Sequence, residues 1–594
     1  MGLTLLGIIL FLLPFLLVFH FKNRLLGFLY ILAFDIALHI TIGIILQFFH
    51  VFSYETVFAL HALLGAGVIA MTLKKLKNIS FKMRINRLAV FAFLIVVFEL
   101  WSAHFLYTGA VSTIGGVGEV EKFSYPYPYF SDEWVGISYS EYSIEHNTLP
   151  LGNPLLPEGG GITHPNIFVF FFSGISEFFL FLGISPLYGW VYLSIAISAL
   201  ICLLFYLMLR AYGTGNIPSA VAMLFLPYIT NASNLPGLWY LLPFLGGVIF
   251  LLISIITLGF EKRGFSRVSN LFSILIYPPI VVFSVPVFFF DIFSEKGDKR
   301  KKIKYILCGF FLLFAGGVLI AFLQKYSFGS FVEKIVSFVF RRNGDNGIPM
   351  YGVWNIVPLL LLPFSLFGIW EVIRRKIYVP VLLIFVGLMF WLIYSRTFYF
   401  FIIDYGRVAV ITSFFLVVVS AFGFDWILGK LEKKFSVLEK KNTKILLMTV
   451  LILGFGISSL FYTEQNDEWQ KLSLRPAGTP EYVKVLPGAP ANRYATEEDM
   501  KLFSGISGKI FLSPPWKGLV IGAGTGNYPL LSKTSIITNE LFEYPKFMSA
   551  NCEWKDLFAE GLGLRYVYSG KFDCEHFRFL GSSTENLYLY EFVR

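Results

Sequence analysis

Apolar runs long enough to cross a bilayer recur along most of this 594-residue chain. About 20 apolar residues in a helix span the roughly 30 Å of hydrocarbon in a membrane. The runs lie at 2–20, 25–48, 56–73, 88–107, 188–209, 217–230, 238–259, 305–323, 353–373, 379–394, 408–428 and 444–462. Only 14% of the residues are charged, against about 25% in soluble domains. The chain is therefore predicted to be a polytopic α-helical membrane protein.

Basic residues cluster between these runs rather than within them. Cytoplasmic loops are enriched in Lys and Arg, so the clusters indicate which helix ends face inward. They lie at 74–87, 262–267, 296–304, 374–376 and 430–444. One topology of about fourteen spans places every cluster inside, and it puts the 108–165 loop and residues 463–594 outside. The net charge of +10 thus reflects membrane orientation and does not indicate a nucleic-acid partner.

Two further apolar segments fit this topology only if each begins and ends on the same side of the membrane. Run 166–183 is short and carries Glu177, so we expect it to lie along or dip into the outer leaflet. Segment 266–294 has a basic cluster at each end and three prolines within it. Proline in a membrane helix is tolerated where neighbouring helices satisfy the freed backbone groups. We expect a hairpin of two short helices there.

The hydropathy falls after Tyr462, and residues 463–594 are predicted to form a separate mixed α/β domain. Its short apolar runs are typical of buried strands, and residues 551–563 are typical of a helix. The predicted strands are KIFLS, GLVIG, TSIITN, LRYVYSG and ENLYLYEFV. The glycine run GAGTGN at 522–527 lacks the full dinucleotide-binding pattern, so we interpret it as a turn and not as a nucleotide site.

Two of the four cysteines, Cys552 and Cys574, lie in this terminal domain. Their predicted external location and short separation permit a disulfide, but cysteines of small domains are also often simply buried. A disulfide requires Cα atoms within about 7 Å of each other, and that separation decides between the two alternatives.

The 108–165 loop concentrates acidic residues, with seven acids against a single base. An aromatic and proline-rich stretch precedes Asp132 and Glu133, and a helical segment follows to His146. A Pro- and Gly-rich stretch then leads to His164. Two interpretations of the acidic pair stay open. An aspartate is a favoured helix N-cap, and an acid at the head of a surface helix can also face a ligand.

This order of features resembles the GT-C superfamily of membrane glycosyltransferases, which use lipid-phosphate-linked sugars. The shared features are a membrane helix, an external loop opening with Asp-Glu, a surface helix ending in EHNTLP, and a His-Pro restart. Protein O-mannosyltransferases and lipid A aminoarabinose transferases have comparable loops. The resemblance covers a membrane domain at 88–462 and the terminal domain at 463–594, and residues 1–87 fall outside it.

The resemblance implies transfer of a sugar from a polyprenyl-phosphate donor to a glycan, lipid or protein acceptor outside the plasma membrane. Asp132, with Glu133 beside it, matches the loop acid that acts as general base or helps to hold a metal. Arg407 at the outer end of a late helix, or Arg341 and Arg342, would bind the donor phosphate. The remaining candidates for substrate contact are His146, His164, Glu177 and Asp345.

No metal or other cofactor is expected, although binding of a divalent ion is left open as the less favoured alternative. The second external loop, YITNASNLPG, has no acid where metal-using relatives place one, and His146 and His164 lack zinc-ligand spacing. The WWD-type motif of oligosaccharyltransferases is also absent, which argues against transfer of oligosaccharides to asparagine. The alternative function is a secondary transporter or a flippase for lipids or polysaccharides. That class predicts internal symmetry between halves, which this sequence lacks.

Overall fold

Helices make up most of the described structure, and a mixed sheet follows near the C-terminus. The computed structural model describes residues 2–75, 86–105, 110–113, 116–119, 131–157, 166–229, 240–295, 303–309, 361–397, 405–434, 495–530 and 543–593, with single positions between these ranges. Four of the described helices are long and apolar enough to cross a membrane, at Arg24–Phe48, Tyr54–Leu73, Pro186–Ala211 and Gly406–Lys434. The α-helical membrane class is confirmed. The number of spans stays a prediction, and the predicted spans at 444–462 and over most of 305–323 lie outside the described residues.

The first half of the chain contains the helices α1 to α7. They are α1 (Gly2–Leu12), α2 (Arg24–Phe48), α3 (Tyr54–Lys75), α4 (Arg87–Phe105), α5 (Ser131–His146), α6 (Val169–Leu182) and α7 (Pro186–Ala211). A 3-10 helix at Leu13–His20 follows α1, and an antiparallel hairpin of β1 (Ala110–Thr113) and β2 (Gly116–Glu119) precedes α5. The predicted helix after the acidic pair is therefore confirmed as α5.

The membrane part continues with α8 to α14. They are α8 (Asn216–Phe225), α9 (Pro243–Gly259), α10 (Arg263–Ile276), α11 (Val281–Ser294), α12 (Leu361–Arg374), α13 (Tyr378–Thr397) and α14 (Tyr405–Lys434). Helix α14 packs against α12, α13 and α8, and α9 packs against α7 and α10. These contacts join the helices into one apolar core, which also includes side chains of the terminal domain.

Helix α6 carries the run that we expected not to cross the membrane. At 14 residues it is about 21 Å long, which is short of the roughly 30 Å of hydrocarbon. Most of its side chains are buried, and it packs against α2 and α5. Its length agrees with the expectation, while its position in the outer leaflet stays a prediction.

The predicted hairpin at 266–294 is confirmed as α10 and α11, joined by a 3-10 turn at Pro278–Ile280. Its two far ends meet, because Nη1 of Arg263 lies 2.8 Å from Oδ1 of Asp291. Arg267 also contacts Asp291, with 2.5 Å between Nε and Oδ2. A buried acid in a membrane segment suggests function by default, and here it has two arginine partners that close the hairpin.

The terminal domain contains a five-stranded mixed sheet in the order β4-β3-β5-β7-β6. Its elements are α15 (Glu497–Leu502), β3 (Ile510–Leu512), α16 (Pro515–Thr525), β4 (Tyr528–Pro529), α17 (Glu543–Ser549), α18 (Cys552–Leu562), β5 (Tyr566–Ser569), β6 (Phe577–Ser582) and β7 (Tyr588–Phe592). Strand β3 runs parallel to β4 and β5, while β7 pairs antiparallel with β5 and β6. The mixed α/β class is confirmed, as are the predicted strands that became β3, β5 and β7 and the helix that became α18.

One strand prediction in this domain was wrong, because GLVIG lies in the middle of α16. A short apolar run does not distinguish a buried strand from a buried helix. The local signals that decide are Pro515 at the helix start and Gly526 at its end, where φ is +66°. The GAGTGN run therefore ends a helix instead of opening one, and a helix C-terminus repels phosphate. The predicted TSIITN strand lies outside the described residues.

Cys552 and Cys574 form a disulfide, with their Cα atoms 5.5 Å apart. This result confirms the first of the two alternatives. The bond joins the start of α18 to the segment before β6, across 22 residues of sequence.

Removing this disulfide should destabilise the terminal domain. Closing a loop of 22 residues restricts the unfolded chain and is expected to contribute about 3 kcal/mol. Cys574→Ser in the full-length protein should therefore lower the urea midpoint of the domain in pulse proteolysis. The matched control is Cys308→Ser, which removes an exposed free cysteine. Equal midpoints for the two variants would mean that the bond adds no stability.

The terminal domain packs directly on the helix of the acidic loop. Helix α16 contacts α5, and a Cβ added to Gly526 would lie 3.6 Å from Oε2 of Glu145. The domain therefore covers one face of α5, the helix that begins with the acidic pair.

Candidate functional site

Helix α5 is fixed to its surroundings at both ends. Near its start, Trp134 is fully buried, and its Nε1–H donates to the carbonyl of Pro128 at 3.0 Å. Near its end, Oε1 of Glu141 accepts from the Ser185 hydroxyl at 2.6 Å and from the Leu187 amide at 3.3 Å, at the start of α7. Burial raises the pKa of Glu141. These contacts hold the first turn of α5, with Asp132 and Glu133, in a defined position.

The two acids of the predicted pair have different environments. Glu133 is fully buried, and its Oε1 accepts a hydrogen bond from the Leu241 amide at 3.1 Å, just before α9. The Asp132 side chain is 30% exposed and lies in the first turn, where the helix dipole stabilises a carboxylate. Asp132 is therefore partly open to its surroundings, whereas Glu133 ties α5 to the segment before α9.

Arg407 lies beside Asp132, with 3.6 Å between Nη2 and Oδ2. It stands in the first turn of α14, where the helix dipole disfavours a cation, so it needs partners. Tyr277, at the end of α10, is a second partner: Arg407 Nη1 donates to its hydroxyl at 3.2 Å, and the guanidinium lies 5.8 Å from the ring centroid. Three separate elements thus bring a carboxylate, a guanidinium and a phenol together.

Of the other predicted site residues, His146 lies apart from Asp132. It is exposed at the far end of α5, about 21 Å along the helix. Its Nδ1–H donates to the Tyr142 carbonyl at 3.1 Å, and its ring stacks on that of Tyr142. His164, Arg341, Arg342 and Asp345 lie outside the described residues.

Glu177 lies within the protein and not on its surface. It is fully buried in α6, and its two carboxylate oxygens contact His39 of α2 and His61 of α3. These three side chains are arranged so that they could hold a metal ion. The expectation of no cofactor is therefore not confirmed. We did not predict His39 or His61, although an ionisable residue in an apolar helix is a signal that could have identified both.

Asp425, another acid in a long apolar helix, has structural partners. Its Oδ1 accepts from the Gly215 amide at 3.0 Å, and its Oδ2 lies 3.1 Å from Nη2 of Arg375. These contacts join the middle of α14 to the start of α8 and the end of α12. Like Asp291, it is explained by packing.

An apolar cavity of about 400 Å³ lies among α1, α2, α6, α7, α9 and α10. Leu241 and Ile276 line it, and they adjoin the site through the Leu241 amide bonded to Glu133 and through Tyr277 beside Arg407. His39 of α2 also lines this cavity. The cavity thus lies beside residues that contact Glu133 and Arg407.

The described residues define an α-helical membrane protein with a C-terminal mixed-sheet domain, and a carboxylate–guanidinium pair lies at the start of α5. No protein-family model matches the chain, and no curated protein matches it. Among solved structures it is similar to the apo oligosaccharyltransferase of Archaeoglobus fulgidus, with 12% identity and a TM-score of 0.45 over 81% of this chain and 69% of that one.

Two further structures of that archaeal enzyme are similar to the chain. One holds an inhibitory peptide and a dolichol-phosphate, with 13% identity and a TM-score of 0.38 over 81% of this chain and 69% of that one. The other is a complex with Zn and sulfate, with 12% identity and a TM-score of 0.42 over 84% and 73%. Likeness at this level defines neither a family nor an activity for this chain.

Proposed function

We propose that this protein is a membrane glycosyltransferase that moves a sugar from a polyprenyl-phosphate donor to an acceptor on the external face. The observation that carries the proposal is the Asp132–Arg407 pair, whose charged atoms lie 3.6 Å apart and are partly exposed. A sugar transfer of this kind needs a base for the acceptor and a cation for the leaving phosphate, and this pair supplies both.

In the proposed reaction the acceptor hydroxyl attacks the anomeric carbon of the sugar. The bond between that carbon and the phosphate oxygen breaks, and the lipid phosphate leaves with the electron pair. The proton of the hydroxyl passes to Asp132, whose carboxylate is partly exposed. Arg407 binds the phosphate with its planar fork, so the step as proposed requires no metal ion.

Tyr277 acts in this proposal as a positioning residue for Arg407. Its hydroxyl accepts from Arg407 Nη1 at 3.2 Å. When the donor phosphate enters, Arg407 can turn from Asp132 towards it while this contact is kept. The carboxylate is then released from its cation at the moment it is needed as a base.

The surroundings of the pair suit a lipid-linked donor and a water-borne acceptor. The apolar cavity that adjoins Tyr277 and the Glu133 contact can take part of a polyprenyl chain. The terminal domain packs on α5 through α16. A donor that enters from the membrane and an acceptor that arrives from solution would meet at Asp132. His146, His164 and Asp345 stay candidates for acceptor contact, and Arg341 and Arg342 for further phosphate contact.

The direct test is to incubate the purified full-length protein with a panel of radiolabelled polyprenyl-phosphate sugars and a solubilised envelope fraction as acceptor. Transfer of label to glycan, lipid or protein supports the proposal. The alternative, a flippase or secondary transporter, predicts movement of the intact lipid or solute across vesicles without cleavage of the sugar. Movement of intact donor with no labelled product from any sugar would overturn the enzyme assignment.

Replacing Arg407 by alanine should weaken donor binding about 10- to 100-fold, since a charge-assisted hydrogen bond contributes roughly 1.5–3 kcal/mol. Binding of a labelled polyprenyl phosphate to detergent-solubilised protein measures the effect. Arg407→Lys keeps the charge but loses the fork, so an intermediate loss is expected.

The matched control is Arg374→Ala, because Arg374 is a half-exposed arginine of the same membrane domain paired with Glu371. It should bind donor as the wild type does. If Arg407→Ala also binds donor normally, Arg407 merely extends from a helix end towards the aqueous interface.

A further inference from the structure

A second polar cluster is buried in the membrane part, among α2, α3 and α6. His39 Nδ1 lies 2.5 Å from Glu177 Oε2, and His61 Nε2 lies 2.6 Å from Glu177 Oε1. The three candidate ligand atoms are all within 4.8 Å of one another. Ligands of a tetrahedral Zn²⁺ at about 2.0 Å lie roughly 3.3 Å apart, so an ion fits after shifts of less than about 1 Å.

The charge in this cluster needs compensation, because Glu177 is fully buried and Asp35 is 3% exposed. Asp35 stands one turn before His39 on α2 and is close enough to interact electrostatically with all three ligands. A buried carboxylate is stable only where positive charge lies nearby or where it is protonated. Two protonated imidazoles would compensate both carboxylates, and so would two neutral imidazoles that bind one divalent cation.

The arrangement of the rings favours the divalent cation. The imidazoles of His39 and His61 stack with 4.6 Å between centroids and 25° between planes. Two stacked imidazolium ions would repel each other in these apolar surroundings. Two neutral imidazoles that bind one cation balance the same charge without that repulsion.

Two buried polar atoms at the cluster lack a hydrogen-bond partner among the described residues. They are Nε2 of His39 and Oδ2 of Asp35. A metal-bound histidine usually donates its other ring N–H to a carboxylate or carbonyl. The Nε2–H of His39 and the Oδ2 of Asp35, one helical turn apart, are suited to form such a hydrogen bond.

The helices around the cluster are built for close approach. A Cβ on Gly43, four residues after His39, would lie 2.5 Å from the Ser173 carbonyl oxygen. A Cβ on Gly174, three residues before Glu177, would lie 2.6 Å from Ile40 Cγ1. Glycine at both positions lets α2 and α6 come near enough for His39 to reach Glu177.

We propose that His39, His61 and Glu177 form a divalent transition-metal site, for an ion such as Zn²⁺. Two imidazoles with one carboxylate suit zinc and its neighbours, whereas Mg²⁺ and Ca²⁺ prefer oxygen ligands. The bound ion joins α2 and α3 to α6, and α6 packs on α5, the helix that carries Asp132. The site therefore fastens the N-terminal helices to the part of the fold that positions the acidic loop.

The test uses full-length protein purified through a tag without histidines, stripped with a chelator and then supplied with Zn²⁺ or Co²⁺. Elemental analysis after removal of free metal should give about one ion per chain, and Co²⁺ should produce visible d–d absorption. The midpoint temperature of thermal unfolding should rise when Zn²⁺ is added. These readouts do not depend on sugar transfer, so failure of the site and failure of the proposed function are distinguishable.

The variants His61→Gln and Glu177→Gln should lose at least ten-fold in metal affinity. The matched control is His576→Gln, which alters a histidine that pairs with Asp556 at 2.7 Å in the terminal domain. It should bind metal as the wild type does. If a ligand variant fails to fold, the metal-to-chain ratio and the Co²⁺ spectrum of the wild-type protein test the proposal without it. Wild-type protein that binds no metal, or ligand variants that bind it normally, would overturn the proposal.

Discussion

Asp132→Asn is expected to lower sugar transfer about 10²–10⁴-fold, because asparagine keeps the size of the side chain but cannot accept the acceptor's proton. Donor binding should change little, since Arg407 stays in place. Stability should also change by less than about 1 kcal/mol, because a partly exposed ion pair with 3.6 Å between its charged atoms contributes little to folding. Initial rates of label transfer, together with thermal unfolding of the same preparation, measure both effects.

The matched control for this substitution is Asp556→Asn, which removes an aspartate paired with His576 in the terminal domain. It should transfer sugar at the wild-type rate. If Asp132→Asn transfers normally, Asp132 only stabilises the start of α5. The base would then have to be sought at Asp345, or at Glu133, whose burial and contact with the Leu241 amide make it less accessible.

The second large effect is expected from Lys517→Met, which should destabilise the terminal domain by about 3–5 kcal/mol. Lys517 is fully buried, and its Nζ lies 2.5 Å from both Asp499 Oδ2 and Glu585 Oε2. Asp499 is fully buried too and accepts a hydrogen bond from the Tyr568 hydroxyl. Methionine fills the space but leaves the Asp499 carboxylate without its cation, and an unpaired buried charge is costly.

Asp499 also holds the local backbone, which adds to the expected loss. Its carboxylate accepts from the Thr496 amide at 2.6 Å, in a capping box that starts α15. Burial, and then the adjacent Asp499 carboxylate, raise the pKa of Tyr568, so the phenol stays protonated and keeps donating. The network therefore joins α15, α16 and β5 through the Asp499 carboxylate, whose cation is Lys517.

Hydrogen exchange of peptides from β3, β5 and β7 in the full-length protein measures this loss, because opening of the domain should become easier by the same free energy. The matched control is Lys509→Met, since Lys509 is exposed just before β3. A surface change of this kind should stay within about 0.5 kcal/mol. Equal protection in the two variants would mean that the buried network contributes no net stability.

Glu133 illustrates how far local sequence can define a site. Both acids of the pair were predicted from their position between an aromatic-proline stretch and a helix, and α5 begins where that pattern places it. Nothing in the sequence distinguishes the environments of Asp132 and Glu133. The distinction arises because Glu133 faces the Leu241 amide, which belongs to a segment far along the chain.

The cluster of His39, His61 and Glu177 shows the same limit more strongly. Glu177 stood out because it is an acid in an apolar helix, but its partners lie 138 and 116 residues away. They belong to the helices outside the family resemblance. Only the close packing of α2 on α6 at Gly43 and Gly174 brings the three side chains together.

By itself, the sequence determined the membrane class, the acidic loop with its helix, the proline-broken hairpin and the mixed α/β terminal domain. Each of these follows from hydropathy, charge or turn chemistry, which act over a few residues and do not depend on distant partners. The tertiary structure decided the pairing of Asp132 with Arg407 and the burial of Glu133. Those outcomes depend on which helices approach closely, and side-chain packing between distant segments sets that approach.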